Sequence, residues 1–101
     1  MKYKLQNGDG EAVVALDGRL DFTANEDFRE LLTQAHELRP KRLVFDLGAL
    51  AAIDSVGLGL LYIAQEDLGL VETRITLRNP QGYVARLLDL TEADKTFDIE
   101  R

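Results

Sequence analysis

At 101 residues the chain has room for one hydrophobic core and not for two. Its 46% hydrophobic and 30% charged residues are those of a globular protein, which excludes a disordered tail. Twelve basic against 18 acidic residues leave a net charge of −6, which argues against nucleic acid as the main partner, because neutralising phosphates needs clustered Lys and Arg.

Residues 1–10 alternate in charge and contain no apolar core of a secretion signal. Residues 3–6 read as a first strand. Asn7-Gly8-Asp9-Gly10 is a strong turn signal, and 12–16 follow as a second strand, so the two predict a hairpin. Asp17-Gly18-Arg19-Leu20-Asp21 is expected to break it. Thr23-Ala24-Asn25-Glu26 has the form of a capping box. Behind it Ala24, Phe28, Leu31, Leu32, Ala35 and Leu38 recur at steps of three and four, an amphipathic helix closed by Arg39-Pro40.

Residues 43–47 are nearly all apolar, as expected of a strand covered on both faces, and a short loop should follow. Asp54 is placed to cap a helix over 55–68, with Gly69 as its stop. Residues 73–77 alternate as another strand. Asn79-Pro80 has the favoured order of cap then proline for a short helix carrying Val84, Leu87 and Leu88. Residues 91–95 read as one more helical turn before a last strand over 97–99. Strands alternating with helices after an opening hairpin imply a mixed sheet with helices packed on it.

The stretch Ile53-Asp54-Ser55-Val56-Gly57-Leu58-Gly59 carries the chemistry. Ser55 falls at the first helical position, at the positive end of a helix dipole, with two glycines thinning the turn. Such a hydroxyl serves as a modification point, an anion contact or capping chemistry. A step of about 100° per residue puts Gly57, Leu60, Leu61, Ala64 and Leu68 towards the sheet, flanked by Val56 and Ile63. Ser55, Gly59, Tyr62 and Glu66 fall opposite, with Leu58 and Gln65 alongside, and that outward stripe looks like a docking surface.

Asp54-Ser55-x-Gly57-Leu58-Gly59, preceded by a buried strand, resembles the STAS-domain proteins, in particular bacterial anti-sigma-factor antagonists. Gly18-x-Leu20-Asp21 matches the family's loop before the first helix, and 43–47 its central strand. Asn79-Pro80 and Asp94-Lys95-x-Phe97 match its carboxy-terminal elements. The resemblance implies an α/β fold: one STAS domain over 1–101, with a mixed, mostly parallel-cored sheet of four or five strands and about four helices packed on it. It also implies a cytoplasmic, non-enzymatic regulator that switches partners without a cofactor.

In that scheme the chain binds an anti-sigma factor that is also a histidine-kinase-like serine kinase, releasing a sigma factor or another target. The kinase phosphorylates Ser55 and a phosphatase resets it. Asp21, Asp54, Ser55, Val56, Gly57, Leu58, Gly59 and Tyr62 map to the partner surface. The family commonly has a second Ser or Thr after the modified serine; here it is Val56. Family members without a working phosphorylation site serve as scaffolds or as accessory subunits of lipid-type ABC transporters, which is the alternative reading.

Other chemistry finds little support. There is no cysteine, and the one histidine, His36, reads as a surface residue late in the first helix and cannot build a metal cluster. Asp46 at a strand end resembles the phospho-acceptor of a response regulator but lacks the acidic pair expected after a first strand. Gly57-x-Gly59 is no dinucleotide fingerprint, since Tyr62 holds the third glycine position. No acid–base or nucleophile constellation can be assembled, and no apolar run nears the roughly 20 residues of a membrane span.

Overall fold

The computed structural model describes every residue from Met1 to Arg101. Five strands form one sheet: β1 (Lys2–Asn7), β2 (Glu11–Leu20), β3 (Arg42–Ile53), β4 (Arg74–Arg78) and β5 (Asp98–Glu100), in the order β1-β2-β3-β4-β5. β1 and β2 make the expected antiparallel hairpin, and β2 through β5 run parallel. Three α-helices complete the fold: α1 (Asn25–Leu38), α2 (Ser55–Gly69) and α3 (Gly82–Leu90). Two 3-10 turns, Phe22–Ala24 and Ala93–Lys95, take the place of the fourth helix. Glu92, two residues beyond the end of α3, turns left-handed (φ 54°), and only a tight turn follows before β5.

β2 and β3 are both longer than their apolar runs. β2 continues through Asp17 and Gly18 to Leu20, where a turn was expected, and β3 continues through Gly48 to Ile53, where a loop was expected. Each extension pairs with the other, with register shifts between Ala15 and Asp17 and between Gly18 and Arg19. Gly18, at φ 91°, absorbs the irregularity, which is the work of a bulge glycine. The small, weakly strand-forming residues of 48–52 are held by this pairing and by buried Leu50 and Ile53.

The capping predictions are corrected in two places. Thr23 and Glu26 form no capping box: Asp21 caps the 3-10 turn by accepting from the Thr23 N–H at 3.0 Å and from its hydroxyl, and α1 then starts at Ala24 without a side-chain cap. Asn79 does not cap α3 either. It sits in a left-handed conformation (φ 59°), donates its N–H to the Glu100 carbonyl at 2.6 Å, and leaves the cap position to Gln81. Arg39, left-handed at the end of α1, donates its N–H to the Ala35 carbonyl and closes that helix ahead of Pro40 as expected.

One continuous cluster of 24 buried residues joins the three helices to one face of the sheet. Phe28 of α1 stacks on Phe45 of β3 with centroids 5.8 Å apart, fixing α1 against the central strand. β3 is therefore helix-covered on one face, not on both. On the other face Val44 and Thr76 are nonetheless fully buried.

Four charged side chains close over that face. Glu11 of β2 lies 3.9 Å from Arg42 and 3.6 Å from Arg78; Glu100 of β5 binds the same two guanidiniums, with Arg78 at 2.8 Å. The result is a ring of alternating sign across β2, β3, β4 and β5, and Arg42 also donates to the Thr76 hydroxyl at 2.9 Å. The stems of the arginines cover what no helix covers. Hydrogen bonds from Arg78 and then Arg42 hold the Glu100 carboxyl below its ordinary value of 4.5.

A carboxyl depressed in this way contributes stability that is complete above its ordinary pKa and is lost as pH falls through the lower, folded value. Thermal melts from about pH 7 down to about pH 3 should therefore show the wild type losing more stability below pH 4.5 than Glu100→Gln, with the two curves converging at the acid end. Parallel curves would mean that the ring does not contribute to folding.

Candidate functional site

The junction between β3 and α2 is built on one close approach. Asp54, in extended conformation, turns its Oδ1 back to accept the Gly57 N–H at 2.8 Å, and its carbonyl accepts the Leu58 N–H at 2.9 Å. The Asp54 N–H points to the Leu20 carbonyl at 3.4 Å, so the first turn of α2 lies against the end of β2. A Cβ on Gly57 would stand 1.8 Å from that carbonyl oxygen, so this turn admits only glycine there. A Cβ on Gly59 would meet nothing within 4 Å.

With the turn pinned from below, Ser55 is left exposed at the first helical position, and Val56 beside it is 49% exposed. Asp21 is brought to the same place: it lines a small cleft with Arg19, Ala52, Ile53 and Asp54. The hydrogen bond from the Thr23 hydroxyl holds its carboxyl below the usual aspartate range, and Arg19 lies 3.4 Å from its second oxygen. Asp21, Asp54, Ser55 and Val56 thus form one surface.

The rest of the expected outward stripe needs correction. Leu58 is buried in the core, and Tyr62 is half-buried with its ring 5.2 Å from that of Phe97. Val56 and Ile63, expected to flank the sheet-facing side, are half-exposed instead. The buried arc is rotated towards Leu58 and Tyr62, and buried Phe97, between the last 3-10 turn and β5, packs against the Tyr62 ring. Periodicity within α2 carries no signal of a residue more than thirty positions away.

Phe22 is the residue that the sequence reading missed. It follows Asp21 directly and is 70% exposed. The available signal was that Phe22 lies outside the three-and-four pattern of α1. The remaining candidates stay apart from this surface: His36 is exposed in the last turn of α1, and Asp46 accepts the Gly48 N–H at 2.9 Å.

The STAS domain family matches residues 2–101. This chain is a STAS-domain protein. A STAS-domain-containing protein of Pseudomonas aeruginosa is 31% identical over 96 residues, which cover 94% of each chain. The fold matches that of an anti-sigma factor antagonist from Mycobacterium paratuberculosis with a TM-score of 0.80, at 29% identity over 98% of this chain and 84% of the other. It also matches the Bacillus cell fate determinant SpoIIAA in its phosphorylated form with a TM-score of 0.73, at 22% identity over 99% of this chain and 92% of that one. No helix is long and apolar enough to cross a membrane.

The two motif glycines predict opposite effects. Gly57→Ala should cost at least about 1–3 kcal/mol, since the clash is with backbone that cannot swing away. Gly59→Ala should be neutral or stabilise the fold by up to about 1 kcal/mol through helix propensity. Chemical denaturation of both variants checks this; equal losses would contradict the placement of α2 on Leu20.

Proposed function

We propose that this STAS domain is a non-enzymatic, cytoplasmic partner-switch protein whose docking face is centred on Ser55. Its partner is an anti-sigma factor that doubles as a histidine-kinase-like serine kinase, and binding frees a sigma factor or another target. The reading is carried by one observation: Ser55 is exposed at the head of α2 while the cap beneath it is supplied by Asp54. The Ser55 hydroxyl is therefore free for modification without loss of the helix start. The anti-sigma factor antagonist from Mycobacterium supports the same class, with 29% identity over nearly the whole chain.

In the modification step the Ser55 Oγ attacks the terminal phosphorus of ATP held by the partner, loses its proton and releases ADP. A phosphatase removes the phosphate by hydrolysis. The phosphate adds about −1.5 to −2 charge. At a helix N-terminus the dipole and the free N–H groups soften that charge for the isolated domain. Inside an interface the same group, beside Asp54 and Asp21, must be desolvated against two carboxylates. Folding tolerates the modification and the complex does not.

Val56 favours a second reading. With no hydroxyl after Ser55 and a half-exposed aliphatic in its place, the same face also suits a permanent scaffold, such as the accessory subunit of a lipid-type ABC transporter, in which Ser55 stays unmodified. Intact mass after co-expression with the kinase-like partner separates the two, an added phosphate on Ser55 favouring the switch. Ser55→Asp should lose a few kcal/mol of partner affinity with little change in melting temperature, and Ser55→Ala should bind like the wild type. Equal affinity of the two variants would contradict the switch.

A further inference from the structure

The short helix α3 is apolar on more sides than one domain can bury. Of Gly82–Leu90, only Val84 and Leu88 are buried, where the helix packs on β3. Tyr83 is 62% exposed and Leu90 71%, and Leu87 between them is half-buried. At about 100° per residue, Tyr83 and Leu90 point within about 20° of each other, roughly 10 Å apart along the axis. Leu87 flanks that line on one side and Arg86 on the other, each by about 50°. A helix apolar on both its faces is expected to be covered on both. None of these residues belongs to the surface formed by Asp21, Asp54, Ser55 and Val56.

The pattern identifies what covers it, because it is complementary to itself. A two-fold axis passing level with the midpoint of Arg86 and Leu87 sets an antiparallel copy of α3 against the first. Tyr83 then faces Leu90 of the second copy at one end, and the reverse holds at the other. The two Leu87 side chains meet on one side of the axis. On the other side each Arg86 comes within about 3 Å, along the helix, of the level of Asp89 in the second copy. Arg86 is exposed and takes part in no ion pair within the chain, and Asp89, paired with Arg101, stays 59% exposed. The one cation and one anion of α3 thus answer each other across the axis, and the chain's net −6 lies outside this contact. An extended peptide would find no sheet edge on α3 and would bury its backbone groups unpaired. A lipid surface would draw on clustered Lys and Arg, and α3 has Arg86 alone.

We infer that α3 is a two-fold homodimer contact, pairing antiparallel with α3 of a second copy of this chain. Tyr83 and Leu90 close each end, Leu87 fills the centre, and Arg86 with Asp89 fixes the register along one flank. Nine residues of helix give a contact about 13 Å long, at the small end of specific interfaces. The dimer is therefore weak, forming at high concentration and dissociating on dilution. It carries two Ser55 surfaces, neither of them built from α3.

The test is sedimentation equilibrium of the wild type, Leu90→Lys, Arg86→Glu and the double variant Arg86→Glu, Asp89→Arg, from about 10 μM to about 1 mM. Circular dichroism melts show that each variant folds. The wild-type mass should rise with concentration towards twice that of one chain. Leu90→Lys and Arg86→Glu should each weaken dimerisation at least about tenfold. The double variant, in which the two charges are exchanged, should recover it. A wild type that stays monomeric throughout overturns the contact. A dimer that withstands Leu90→Lys is built elsewhere and overturns it as well. A double variant no tighter than Arg86→Glu contradicts the antiparallel register.

Discussion

The Leu20 carbonyl is the anchor on which the geometry at the head of α2 depends. β2 runs past its apparent end to present that oxygen, and α2 starts hard against it through the Asp54 N–H and the bare Cα of Gly57. Because the underside of the turn is occupied by backbone, the first turn of α2 cannot sink or roll. Ser55 and Val56 are forced outward, and the Asp54 carboxylate is drawn inward to cap. Exposure of the hydroxyl follows from packing beneath it.

The two faces of the sheet are finished by different physics. One is covered by helices and buries a continuous apolar cluster, whose loss of contact with water is the main stabilising contribution. The other is closed by the Glu11–Arg42–Glu100–Arg78 ring, which shields Val44 and Thr76 and ties the three-residue β5 to its neighbours. Exposed ion pairs are individually weak, and a ring in which each charge meets two opposite ones makes better use of the ordering of the side chains.

Much of this was legible in the chain itself. The hairpin, the amphipathic α1, the Asp54 cap and the glycine-bearing α2 follow from short-range rules, and the order of strands and helices implies the mixed sheet. What could not be read were features decided at long range. β2 and β3 extend through Gly18 and Gly48 because each pairs with the other, although both glycines resemble turn residues locally. The open face of β3 reads as covered because Val44 is buried there without a helix, under the charged ring that Arg42 of β3 makes with Glu11, Arg78 and Glu100 of its neighbours. At the head of α2, the Asp54 cap and the exposed Ser55 were legible from the motif, whereas Leu58 is buried in the core and Tyr62 turns inward against Phe97.

The central claim is that a dianion at the head of α2 is tolerated by the fold and not by the complex. The most direct measurement prepares the domain with phosphoserine incorporated at position 55 and compares its melting temperature and its affinity for the kinase-like partner with those of the unmodified protein. Unchanged melting with binding reduced by two orders of magnitude or more, the scale of about 3 kcal/mol, is the predicted result. A modified domain that binds as tightly as the unmodified one, or that unfolds on modification, would contradict it.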